Sequence, residues 1–358
     1  MKSHRISLIC MLAAVGIALA GCGSTSAGGG QAQAGAGQLV KVDYEPGGES
    51  FLFLPTLVAI TQGYFTDAGI DLNYQPLLST AALQVNAIIT GQSDIGATGT
   101  TGLLTARQKG QDIVGVGYMS QTPGIVLTLT KTAADRLAAK GVTPSSPLPE
   151  RVKALAGLKI ASLPAGSSAQ ILLSSLLVEQ GMKLSDVTIA SVDSLPAIFN
   201  TAKNGQSDAF FDNEPFISQS VHEGWGVPWI SYPAGDVPAA TGIPWTEYVA
   251  SGKFVKEHPD TVRAFMTAIW RADETLTTRG TDPALLDPVR QKWFAAIDPT
   301  VFKQAWEASL PLFKNGPMPS EEIFAKELTL FNSAVKPPYS IAFSDTYALG
   351  PVAQAKPS

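Results

Sequence analysis

From Leu39 onward the chain alternates short apolar runs with longer stretches of helical period, a strand–helix rhythm. Leu39 to Tyr44 alternates apolar and polar positions and predicts a strand. Phe51 to Gln62 predicts a helix stopped by Gly63-Tyr64-Phe65, and Ile70 to Gln75 predicts a second strand. Ser79 is placed to cap a further helix ending at Gly91. Ser93 to Ala97 then reads as a third strand, with Thr98 to Thr101 as its loop. A helix from Gly102 leads to a β-rich run, Asp112 to Met119.

The same order then returns. Gln121 to Thr130 reads as a crossing strand, Leu148 to Leu155 as a short helix and Leu158 to Leu163 as a strand. Gly166-Ser167-Ser168 opens a helix whose Ala169, Leu172, Leu173, Leu176 and Leu177 share one face, with Gly181 as its stop. Val187 to Val192, a helix over Leu195 to Asn204, and Ser207 to Asp212 complete the second series. The tetrapeptide Gly91-Gln92-Ser93-Asp94 recurs as Gly205-Gln206-Ser207-Asp208, each copy between a small-residue helix pattern and an apolar run. Two copies in matching contexts predict two similar halves with a cleft between them, since loops after strand carboxyl ends are where open α/β sheets bind ligands. Val227 to Tyr232 reads as another strand. Pro233 to Pro244 crosses back, and Trp245 to Ala250 adds a strand to the first half. In the helix Pro259 to Thr278, the stripe Val262, Phe265, Met266, Ile269 and Trp270 reads as core. Helices over Leu285 to Phe294, Thr300 to Leu310 and Ser320 to Ser333 follow, and Lys336 to Ser358 reads as a surface tail.

Before this rhythm begins, Lys2 and Arg5 precede an apolar run, Ile6 to Ala18, too short to span a bilayer as a permanent helix. Leu19-Ala20-Gly21-Cys22 resembles a bacterial lipobox. The resemblance implies a leader over residues 1–21 and lipidation of Cys22, which anchors the chain on the outer side of the cell membrane. Gly23 to Gln38 has no charge and no large apolar side chain and reads as a tether. Cys10 and Cys22 are the two cysteines, so the body offers neither a disulfide nor a Cys-based metal site. The net charge of −5 becomes more negative once Lys2 and Arg5 are removed, which argues against a nucleic-acid partner.

Gly63-Tyr64-Phe65, Gly69-Ile70-Asp71-Leu72, Gly91 to Gly96 and Leu155 to Ile160, continued by Gly166-Ser167-Ser168, Gly205 to Ala209 and Glu214-Pro215, form an ordered set. In this order they resemble the nitrate, sulfonate and taurine type of solute-binding protein, the extracytoplasmic receptors of ABC importers. The resemblance spans about Leu39 to Arg279. It implies an α/β fold of the type II periplasmic-binding-protein class: residues 39–120 with 233–335 in one lobe, 121–232 in the other, and 336–358 as tail. It further implies an ABC permease as partner, a monomeric receptor and no cofactor.

Three polar loops read as convergent helix N-termini: Gly47, Gly48 and Ser50, with Tyr44 and Glu45 before them; Thr98, Thr100 and Thr101; and Gly166, Ser167 and Ser168. Open N–H groups at such ends suit anionic oxygens, while Ser50, Thr100 and Ser167 equally suit plain capping. Glu45, Glu49, Asp212, Asn213 and Glu214 complicate an anion site, and the loops hold no Arg or Lys. A carboxylate in a desolvated cleft favours a cationic or hydrogen-bond-donating partner. An aminosulfonate such as taurine, or an aminopyrimidine of thiamine metabolism, therefore fits better than bare nitrate. Trp225, Trp229 and Trp245 are candidates for stacking, and more often such residues plug a lobe surface.

An enzyme of thiamine-pyrimidine synthesis shares this fold class and is the rival reading. It depends on a cysteine-rich iron motif and a reactive histidine. Here only His222 and His258 follow the leader, reading as surface and as a helix start, and no nucleophile elbow, phosphate loop or metal spacing occurs. The expectation is a receptor with no catalytic or metal-binding residues; an envelope sensor or interaction protein on the same fold is the third reading.

Overall fold

Among the described residues the short apolar runs form ten strands. They are β1 (Val40–Glu45), β2 (Ile70–Tyr74), β3 (Ile95–Gly99), β4 (Val114–Tyr118), β5 (Ile125–Thr130), β6 (Lys159–Ser162), β7 (Thr188–Ser191), β8 (Ala209–Asn213), β9 (Gly226–Ser231) and β10 (Thr246–Ala250). The computed structural model describes residues 38–47, 50–75 and 80–355. The expected leader, the Cys22 lipidation site, most of the tether, and Gly48, Glu49 and Ser79 lie outside these residues.

The strands form two five-stranded sheets, ordered β2-β1-β3-β10-β4 and β7-β6-β8-β5-β9. The two orders are the same plan. In each, three parallel strands are followed by an antiparallel crossing strand, β10 or β5, inserted before the last. A parallel sheet flanked by helices is buried on both faces, which is why β3 and β8 contain no exposed position.

The repeated tetrapeptide has the same job in both sheets. Gly91 and Gly205 take φ of 72° and 70°, a left-handed turn that ends the preceding helix. The Asp94 carboxylate accepts the Asp43 N–H at 2.9 Å, and the Asp94 N–H donates to Asp43 O at 2.8 Å. Asp208 repeats both bonds with Lys159, at 2.9 and 2.7 Å. Each Asp thus ties the entry of the third strand to the first, late in β1 at Asp43 and at the opening of β6 at Lys159. The motif lies at the amino ends of β3 and β8, opposite the loops expected to bind a ligand. Because the turn consumes Ser93-Asp94 and Ser207-Asp208, both strands run two residues later than expected at their start, and Thr98, Asp212 and Asn213 are strand residues.

Most predicted helices are present, among them Leu54–Thr61, Ala81–Ile89, Ser168–Glu179, Leu195–Lys203 and Pro259–Arg279. Thr80, not Ser79, caps the second, accepting from the Leu83 N–H. Val262, Phe265, Met266 and Ile269 are fully buried. The 336–358 segment is not a surface tail through its described length. Tyr347 pairs with Gly115 beside β4, the Thr267 hydroxyl donates to Ala355 O, and Tyr347, Val352 and Ala355 are buried. Its prolines interrupt helical period without preventing burial.

Candidate ligand-binding cleft

β1 and β3 are neighbours, and so are β6 and β8, so the loops leaving their carboxyl ends lie side by side in each sheet. Gly47, at φ 73°, lays the first loop over β3: a Cβ there would stand 3.2 Å from Ala97 O. The Glu45 carboxylate is buried and accepts the Gly47 N–H at 3.1 Å. Ser50 caps the short turn after the loop, accepting from Leu52 N–H at 3.3 Å.

The two halves touch through hydroxyls. Thr101 Oγ1 and Ser168 Oγ are 2.9 Å apart, the Thr101 N–H donates to the same Ser168 oxygen at 3.3 Å, and Thr101 Oγ1 donates to Gly166 O at 3.4 Å. Gly99 makes this approach possible, since a Cβ there would fall 2.8 Å from Ser168 Oγ. Contact between the halves occupies the helix terminus that an anion would need. The Thr100 N–H donates to Trp245 O and its hydroxyl to Pro244 O. Ser167 caps its own helix through the Gln170 N–H.

The acids stand in drier surroundings. Asp212 and Asn213 end β8 and are almost wholly buried. Asp212 Oδ1 accepts the Asn213 N–H, and burial, helped by the nearby Glu214 charge, holds the Asp212 carboxyl well above its usual range. Glu214 accepts from the Ser218 N–H at 3.0 Å and the Ser218 hydroxyl at 2.9 Å; burial raises its pKa against both bonds. Beside it a cavity of about 170 Å³ is lined by Val126, Ile217, Pro228, Pro233 and Leu312.

Thr98 Oγ1, Ser162 Oγ, Asp212 Oδ2 and Asn213 Oδ1 are buried and make no hydrogen bond to the described residues. All four belong to the last residues of β3, β6 and β8. Ser162 escaped sequence reasoning because a serine closing an apolar strand carries no distinguishing signal. Ser218 was within reach, four residues after Glu214 on the following helix.

Tyr44, expected at the site, is structural, and so are the three tryptophans considered for stacking. Tyr44 is fully buried against Phe265, its hydroxyl 3.4 Å from Thr56 Oγ1, so it belongs to the core and not to the cleft. Trp229 is buried and donates to Arg151 O; Trp225 packs on Phe199 and Phe210 and donates to Glu223; Trp245 is buried beside the return crossing. All three plug the fold. No group of three His, Cys, Asp or Glu side chains suited to a metal occurs among the described residues.

A family profile described as NMT1/THI5 like matches residues 50–279. The chain belongs to the NMT1/THI5-like family. Solved structures share the fold of this NMT1/THI5-like chain. A protein of Bordetella bronchiseptica RB50 is 22% identical with a TM-score of 0.72, over 88% of this chain and 96% of that one. The alkanesulfonate-binding protein SsuA of Xanthomonas axonopodis pv. citri, bound to MOPS, is 17% identical with a TM-score of 0.65, over 88% and 99%. The periplasmic nitrate-binding protein NrtA of Synechocystis PCC 6803 is 14% identical with a TM-score of 0.67, over 89% and 88%. The fold is therefore that of periplasmic binding proteins. No curated protein matches the chain in sequence.

Proposed function

We propose that this chain is an extracytoplasmic solute-binding receptor of an ABC importer, anchored through Cys22, that closes two α/β lobes on a small solute and presents it to a permease. The observation that carries the reading is the set of orphaned buried oxygens at the carboxyl ends of β3, β6 and β8, between halves that meet at Thr101 and Ser168. Buried polar atoms need partners, and a ligand held between the lobes supplies them. Three of the four belong to two hydroxyls and a carboxamide oxygen, and the fourth to the Asp212 carboxyl group. Such a lining asks for N–H or O–H donors.

The solute class follows. With Glu214 and Asp212 in the cleft and the Thr101 N–H already engaged by Ser168, an amine-bearing solute fits: an aminosulfonate such as taurine, or an aminopyrimidine. The relatives that bind alkanesulfonates and nitrate support the receptor class. Closure follows from contacts that only the closed lobes can make to the solute.

A thermal-shift screen of the purified protein against taurine, alkanesulfonates, nitrate, aminopyrimidines and aromatic acids tests the proposal. Stabilisation without turnover supports a receptor. Turnover of a hit supports the enzyme of the same fold, and no response across the panel removes the proposed solute classes.

A further inference from the structure

On the helix-covered face of the first sheet two glutamates are sealed from solvent. Glu247, on β10, and Glu327, on the helix Glu321–Asn332, are both fully buried, and none of their four carboxyl oxygens makes a hydrogen bond of ordinary geometry to the described residues. Glu247 is cross-strand from Tyr118 on β4 and packs toward Tyr347. Tyr118 and Tyr347 meet edge to face at 5.6 Å, and their buried hydroxyls also make no such bond. The groups acting on Glu247 are the hydroxyls of Tyr347 and Thr100; Glu327 feels the Glu247 charge and in turn acts on Tyr118, Tyr339 and Tyr347. No lysine, arginine or histidine is among them.

Two carboxylates cannot both stay charged in one dry compartment without a counter-charge. Moving each from water costs several kcal/mol, and their repulsion adds to it. Burial accordingly pushes Glu247 up to about 8 and Glu327 well above its usual range, the latter with the added repulsion of Glu247.

We propose that Glu247 and Glu327 form a proton-held clasp that joins the return strand to the Glu321–Asn332 helix and opens when the pair ionises. The clasp joins the two halves as well as two elements of one. β10 is the first strand after the crossing back, Thr100 beside Glu247 starts the helix that carries Thr101, and the Glu327 helix accepts the Ser175 hydroxyl from the second half at Leu330 O. Proton loss therefore weakens the support of β10 and of the helix contacting both lobes. Glu247 acts as a positioning residue for the cleft; it need not touch solute.

The sign is fixed by the direction of the shifts. An acid whose folded pKa is raised holds its proton more tightly folded than unfolded, so its stabilisation is full below the ordinary carboxyl range and fades as pH climbs toward about 8. The test is thermal unfolding of the full chain from pH 5.5 to 9.5 for the natural sequence, Glu247→Gln, Glu327→Gln and the double variant, with infrared detection of the protonated carboxyl stretch at pH 7. The natural protein should lose several degrees of Tm across the range and show a carboxylic-acid band that weakens in the double variant, where other buried acids such as Asp212 and Asp273 still contribute. The double variant, a neutral mimic, should match it at low pH and lose less as pH rises, keeping only the slope of other buried acids such as Asp212. Superimposable pH profiles, an acid band at pH 7 equally strong in the natural protein and the double variant, or a double variant melting far below the natural protein at pH 5.5 would each overturn the clasp.

Discussion

Asp94 holds the backbone N–H of Asp43 at 2.9 Å, and Asp208 holds that of Lys159 at the same distance in the other sheet. A carboxylate bonding backbone at the head of a strand substitutes for a ladder bond that the sheet lacks there. Hydrogen bonds to charged groups contribute about 1.5–3 kcal/mol each. Asp94→Ala and Asp208→Ala should each lower unfolding free energy by about that amount in urea titrations. Solute affinity should barely move, because both lie at the sheet end remote from the cleft.

Gly99→Ala puts a methyl 2.8 Å from Ser168 Oγ, so either the Ser168 hydroxyl turns away from Thr101 and its bonds there are lost or the lobes shift apart. Solute affinity measured by calorimetry should fall about tenfold, equivalent to about 1.4 kcal/mol, with little change in the melting of the free protein. Ser168→Gly in the same chain relieves the clash and should restore part of the affinity; no recovery would mean that Gly99 acts through something other than Ser168.

Glu214 is raised by burial and faces an apolar cavity. If an ammonium group seats there, Glu214→Ala should weaken binding at least tenfold, or about 1.4 kcal/mol. Binding should also strengthen as pH rises through the Glu214 pKa, because only the ionised carboxylate attracts the cation. Affinity indifferent to both changes removes Glu214 from the site.

Arg151 is the most enclosed basic group in an ion pair. It bonds Asp236 with two nitrogens, at 2.9 and 3.1 Å, and Trp229 O at 2.7 Å. Arg151→Ala strands a partly buried carboxylate and should cost about 3 kcal/mol or less, since Asp236 keeps some water contact. These bonds hold Asp236 below its ordinary value. The sign is opposite to that of the clasp: the stability is present above the ordinary aspartate range and is lost on acidification through the lowered pKa. A urea titration between pH 7 and 3 on natural and Arg151→Ala chains separates this pair from other carboxylates.

The fold was legible because its strands are short apolar runs between glycine stops, and the repeated tetrapeptide announced the duplicated plan. What the motif does was not legible. Asp94 and Asp208 look like polar loop residues in one dimension, and only strand adjacency shows that they reach back to β1 and β6. Tyr44 misled for a related reason: it ends an alternating strand near a glycine loop, yet its parity sends the ring inward to Phe265. The 336–358 segment was misjudged because proline hides helical period while Tyr347 and Val352 still find a core. The glutamates at 247 and 327 carry no warning in sequence, since a lone acid in a strand and another in a helix read as solvated until the sheet and helix are stacked.

The middle of the first sheet has a temporal meaning. β10 lies between β3 and β4, but about 130 residues separate it from the end of β4 in the chain. Until synthesis delivers that late strand, β3 and β4 have no partner between them, while all five strands of the second sheet are already in hand. The nascent protein therefore carries two open edges through more than a third of its synthesis, and the inserted half can mature before the half that surrounds it.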